Sequence, residues 1–152
     1  MIRDSIKTAL VSAMKSGDKQ QVGTLRMLQS AIKNRDIELR TASTSPDDDA
    51  LVTEVLQKMI KQRRESVDLY TKGNRPELAA TESAEIAALE GFLPRQLDEA
   101  EARAAIAAII ADTGAASMKD MGRVMAEVKA RHATSIEPPK ASALVKALLA
   151  GA

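Results

Sequence analysis

Only two of the 152 residues are aromatic, Tyr70 and Phe92, and this scarcity constrains the fold class more than any other feature. Strands favour aromatic and β-branched side chains, whereas this chain is built largely from Ala, Leu, Met, Lys, Glu and Arg, which are good helix formers. No segment sustains the period-two alternation of a half-buried strand, so the sequence predicts an all-α protein. The same scarcity excludes a base-stacking platform for single-stranded nucleic acid, which needs several rings.

The apolar spacing places the helices. Ile6, Leu10, Val11 and Met14 follow helical steps up to Gly17. A second helix is expected from about Lys19 to Arg40, with Leu25, Leu28, Ile32 and Leu39 on its inner face. Thr41–Asp49 reads as a loop ending in acids that suit a helix start. A third helix, from about Ala50 to Lys72, carries Val52, Val55, Leu56, Met59, Ile60, Val67 and Tyr70 and stops at Gly73-Asn74. Pro76 opens a fourth with Leu78, Ile86, Leu89 and Phe92.

Leu93-Pro94 breaks the chain, and Asp98-Glu99-Ala100-Glu101 has the form of a capping arrangement. The expected division is therefore an N-terminal helical domain of long helices, 1–94, and a compact C-terminal unit of three helices, 95–152. In the latter, Ile106, Ile109 and Ile110 lead to Gly114. Met121, Val124, Met125 and Val128 form a second stripe, and Leu144, Val145, Leu148 and Leu149 a third after Pro138-Pro139. No internal repeat has a solenoid period.

A hydrophobic content of 45% supports a packed core, and 28% charged residues leave a net charge of only +1. That balance does not by itself point to nucleic acid. Its distribution is uneven: basic against acidic residues number 8 to 4 over 1–40, 6 to 2 over 55–75, 1 to 7 over 76–101 and 6 to 3 over 117–152. Salt bridging between helices is the plainest reading of this alternation. The absence of cysteine and of any long apolar run leads to the expectation of a cytoplasmic protein with no membrane span.

Catalytic chemistry finds little to work with. Thiolate nucleophiles are absent, and the single histidine, His132, falls near a helix C-terminus where it complements the helix dipole. Asp47-Asp48-Asp49 lacks the spaced ligands of a calcium loop, so no metal is expected. No phosphate-cradling Gly-Lys-Ser/Thr pattern occurs, and no cofactor or catalytic residue is assigned. Glu82 and Glu85 lie one turn apart, a weak carboxylate pair.

Among the basic residues, Lys58, Lys61, Glu65, Asp68 and Lys72 form a mixed outer stripe. Arg63 instead falls at the edge of the apolar stripe, where a cation needs a partner, and a structural ion pair with an acid from Glu77–Glu90 is expected. In the C-terminal unit Arg123, Glu127 and Arg131 form a row at four-residue steps. Lys119, Lys129, Lys140 and Lys146 lack obvious intrahelical partners, and together with Arg123 they are the candidate RNA contacts. Gly122, inside a helix, suggests close backbone approach or a helix start available to phosphate.

Three blocks resemble the GatB/YqeY-like family, small proteins related to the C-terminal tail domain of the aspartyl/glutamyl-tRNA amidotransferase B subunit. They are Ala13-Met14-Lys15 with Thr24-Leu25-Arg26-Met27-Leu28 and Ala31-Ile32-Lys33-Asn34; Arg63-Arg64-Glu65-Ser66 through Tyr70 and Arg75 to Leu93-Pro94; and Gly122-Arg123-Val124-Met125 with Ser142-Ala143-Leu144-Val145-Lys146. The likeness covers nearly the whole chain. It implies a C-terminal unit similar to that tail, which faces tRNA while other parts carry the amidation chemistry. The family's Gly-rich turn before the last helix is here Ala133-Thr134-Ser135-Ile136-Glu137-Pro138-Pro139-Lys140, stiffened by two prolines.

The leading expectation is a non-catalytic tRNA-binding or tRNA-amidotransferase-associated module, with tRNA and amidotransferase or other translation proteins as partners. It requires Lys119, Arg123, Lys129, Lys140 and Lys146 on one exposed face. A helical protein-interaction adaptor without RNA binding would instead need an exposed apolar groove, placed between the two units. A carbon–nitrogen ligase activity using glutamine as amido donor, in association with partners, would look to Glu82 and Glu85 beside Arg63 or Arg75.

Overall fold

The computed structural model describes residues 1–151, and all regular structure in them is helical. Seven α-helices follow in order: α1 Ile2–Ser16, α2 Lys19–Glu38, α3 Asp48–Lys72, α4 Pro76–Glu90, α5 Glu99–Thr113, α6 Met121–His132 and α7 Pro138–Gly151. They divide into two compact units, one spanning Met1–Leu93 and the other from Pro94 onward.

In the first unit α3 supplies the centre. Val52, Leu56 and Ile60 are buried against Leu25, Leu28 and Ile32 of α2, Ile6 and Ala13 of α1, and Leu89 of α4. Leu89 is the only fully buried residue of α4, with half-buried Ile86 packed beside it against the core. α1 departs from its expected stripe. Ile2, Ile6, Ala9 and Ala13, spaced by fours and threes, turn inward, while Val11 and Met14 stand outside at 51% and 53% exposure.

Helix ends follow local chemistry. Gly17 closes α1 in the left-handed region at φ 73°, which glycine enters without a Cβ penalty. At the end of α3 it is Asn74, not Gly73, that takes positive φ, 55°; asparagine tolerates that region better than most residues. α2 ends at Glu38, earlier than the spacing suggested, and a 3₁₀ turn at Leu39–Thr41 tightens its exit. α3 begins at Asp48 because the Asp47 side chain accepts the Ala50 N–H at 3.4 Å.

Glycine in a helix needs a reason, and the packing of the first unit supplies none for Gly23. Gly23 lies in the second turn of α2, where glycine costs about 1 kcal/mol against alanine. A Cβ placed there would meet nothing within 4 Å.

The second unit packs Ala102, Ile106 and Ile109 of α5 against Val124 and Val128 of α6 and Ala141, Leu144, Val145 and Leu149 of α7. A reciprocal capping box starts α5: Asp98 Oδ1 accepts the Glu101 N–H at 2.8 Å, and Glu101 accepts the Asp98 N–H at 3.0 Å. No helix among the described residues is long and apolar enough to cross a membrane.

Candidate functional site

The five candidate cations are all exposed, but they do not behave alike. Arg123 Nη2 is bound by Asp120 at 3.1 Å and not by Glu127. Glu127 pairs with Arg131 at 3.0 Å, and Arg131 also reaches Asp112 of α5 at 2.9 Å. Both arginines of α6 are thus held by carboxylates. Lys119, Lys129, Lys140 and Lys146 make no ion pair among the described residues.

The five are spread over two helices and the turn before α6. Arg123 and Lys129 are six residues apart on α6, and so are Lys140 and Lys146 on α7. Six residues turn an α-helix by about 600°, leaving each pair about 120° apart around its axis. The inner stripes, Val124 with Val128 and Ala141 with Leu144 and Val145, lie on the opposite side of each helix, so both members of each pair stand on its outward half. Arg123 belongs with the carboxylate-lined flank.

Asp120, the residue before α6, makes no side-chain cap bond to that helix. Asp120 accepts the N–H groups of Ala116 at 2.9 Å and Ser117 at 3.3 Å, and these bonds hold its carboxyl below the usual carboxylate range. Gly122 meets nothing within 4 Å, so it serves no close backbone approach within the chain.

The turn before α7 is tied down. Ser135 O accepts the Leu97 N–H at 2.9 Å, Thr134 O accepts from Gln96 Nε2 at 2.7 Å, and Ile136 is buried. Pro138 opens α7, where a missing N–H removes no helical bond. His132 sits in the last turn of α6 beside Ser135 Oγ, 3.4 Å from Nδ1.

In the first unit, Arg63 is buried and its Nε donates to Glu85 at 2.9 Å, while Nη1 lies 3.5 Å from the Met59 carbonyl. Arg64 pairs with Glu90 at 2.9 Å. Glu85, one half of the weak carboxylate pair, is thus engaged with an arginine. The basic third helix and acidic fourth are joined by these bridges.

A second network escaped the sequence. The Arg3 guanidinium spans Asp36 of α2 at 3.0 Å and Asp48 of α3 at 2.8 Å, and Asp49 accepts the Ile2 N–H at 3.0 Å. The three consecutive aspartates thus cap α3 and grip the start of α1. No group of three or more His, Asp or Glu among the described residues could hold a metal ion.

A cleft of about 470 Å³ lies in the first unit where α1 turns into α2. Met14, Lys19, Val22, Gly23 and Arg26 line it, with Ala13 and Gly17. No carboxylate is among its lining residues.

The sequence compares with known proteins as follows. It is 33% identical over 89 residues to an uncharacterized protein of Schizosaccharomyces pombe, covering 59% of this chain and 69% of that one. It is 31% identical over 88 residues to "Altered inheritance of mitochondria protein 41, mitochondrial" of Eremothecium gossypii, and 32% identical over 88 residues to the protein of that name in Vanderwaltozyma polyspora. These two matches cover 58% of this chain and 46% of each relative, so the chain aligns with less than half of their length. The expectation of a cytoplasmic protein is corrected here. Relatives named as mitochondrial overturn it, because a cysteine-free chain with no long apolar run suits a mitochondrial interior as readily as a cytosol. The family pattern of the Yqey-like protein matches residues 3–149, and the chain belongs to that family.

Proposed function

We propose that this YqeY-family protein is a non-catalytic helical module that binds tRNA through its C-terminal unit. The observation that carries the reading is the division of labour among its cations. The α6 arginines are engaged by Asp112, Asp120 and Glu127, while Lys119, Lys129, Lys140 and Lys146 are exposed and without ion pairs among the described residues. Exposed, unpaired lysines are point charges suited to phosphate. A chain with two aromatic residues would read backbone shape and not stacked bases.

In this reading the contacts come mainly from the lysines, and Arg123, paired with Asp120, contributes little. Titration of the purified protein with a total tRNA pool across salt concentrations tests this. Engagement of four lysines gives a log–log salt slope of about −3 to −4. Binding weakens further in the Lys129→Glu/Lys146→Glu variant. Absence of binding at low salt overturns the reading.

A further inference from the structure

The cleft between α1 and α2 is the feature for which the rest of the chain offers no explanation. Its apolar lining includes exposed Met14 and half-buried Val22, and Val11 stands exposed on the same helix as Met14. Its rim carries Lys19 and Arg26, neither of which makes an ion pair among the described residues. Asp18, the nearest acid in sequence, accepts the Gln21 N–H at 3.1 Å as the α2 cap. Gly23 completes the lining as the helix-interior glycine whose missing Cβ leaves open space.

These features share one explanation. Gly23 leaves room on the α2 surface for a close approach from outside, and small residues let two helices come close. Exposed methionine adapts to an incoming apolar face. Lys19 and Arg26 are seven residues apart, two helical turns or about 10 Å along α2. We propose that this cleft docks an acidic amphipathic helix of a partner protein. The partner's small and apolar side chains lie against Gly23, Val22 and Met14, and its carboxylates, two turns apart, meet Lys19 and Arg26. Charge complementarity selects this occupant. RNA would satisfy the cations but leave the apolar lining uncovered.

The test uses the full chain and a synthetic helical peptide with an Ala-Leu face flanked by two glutamates two turns apart. A second peptide carries lysines in place of the glutamates. Amide NMR signals of Gly17, Val22, Gly23 and Arg26 are expected to shift with the acidic peptide, which binds about tenfold tighter than the lysine version. Gly23→Leu blocks docking while the circular dichroism spectrum is unchanged, because the added side chain enters open space. Lys19→Glu/Arg26→Glu reverses the peptide preference. Equal binding of both peptides, or shifts confined to other residues, overturns the proposal. It is equally overturned if total tRNA displaces the acidic peptide from these amides, or if the same amides shift with protein concentration alone, which would mark a second copy as the occupant. Binding of tRNA at the C-terminal lysines is read from separate signals, so each idea stands or fails independently.

Discussion

Glu85 reaches from α4 to the Nε of Arg63 on α3 at 2.9 Å, and the two side chains are 20% and 9% exposed. The pair is largely withdrawn from water, and the Arg63 guanidinium is the more deeply placed partner. Removing Glu85 strands that buried cation, whereas removing Arg63 leaves a carboxylate that water reaches more easily. Glu85→Ala is therefore expected to cost about 3 kcal/mol in urea unfolding, and Arg63→Met distinctly less. Equal losses would show that the geometry of the pair, and not the desolvation of Arg63, sets the cost.

α4 has Leu89 as its only fully buried residue. Leu89→Ala is expected to cost about 3 kcal/mol and to raise hydrogen exchange most in α4. Exchange rising equally throughout the first unit would show that α4 does not open on its own.

Gly23→Ala should stabilise the protein. The added methyl meets nothing within 4 Å, and α2 gains helix propensity of about 1 kcal/mol. A higher Tm is expected in thermal unfolding, and a lower one would reveal a constraint at Gly23 within the chain itself.

The start of α1 depends on pH through Asp36. A hydrogen bond from the Arg3 guanidinium holds the Asp36 carboxyl below its ordinary value. A folded-state pKa below the unfolded value contributes stability above the unfolded pKa, which is lost as pH falls through the folded one. The contribution is thus complete above about pH 4 and fades below it. Asp36→Asn should lower the urea midpoint at pH 7 and make little difference at strongly acid pH, because the wild-type side chain is then neutral too.

In the C-terminal unit, Asp98→Ala removes one half of the capping box and is expected to cost about 1 kcal/mol. Arg123→Ala, whose guanidinium is already bound by Asp120, should leave tRNA binding within about twofold, whereas Lys129→Glu should weaken it. A large loss on Arg123→Ala would return that residue to the RNA contacts.

The helices and their ends were legible in the sequence because they depend on neighbours a few residues away. Apolar residues three and four apart marked the inner faces of α2, α3 and α5 to α7, Gly17 and Gly114 marked helix ends, and Asp98 with Glu101 marked a start. Other features needed the tertiary structure. α1 has enough apolar residues to offer two inner faces, and packing on α2 and α3 chose Ile6 and Ala13 over Val11 and Met14. Which acid meets Arg63, that Arg3 ties Asp36 to Asp48, and that Asp112 reaches Arg131 all depend on side chains 19 to 45 residues apart in sequence. Helical periodicity carries no information across that distance. Only the folded backbone brings such charges within hydrogen-bonding reach, and it leaves Lys19, Arg26 and the four C-terminal lysines unpaired among the described residues.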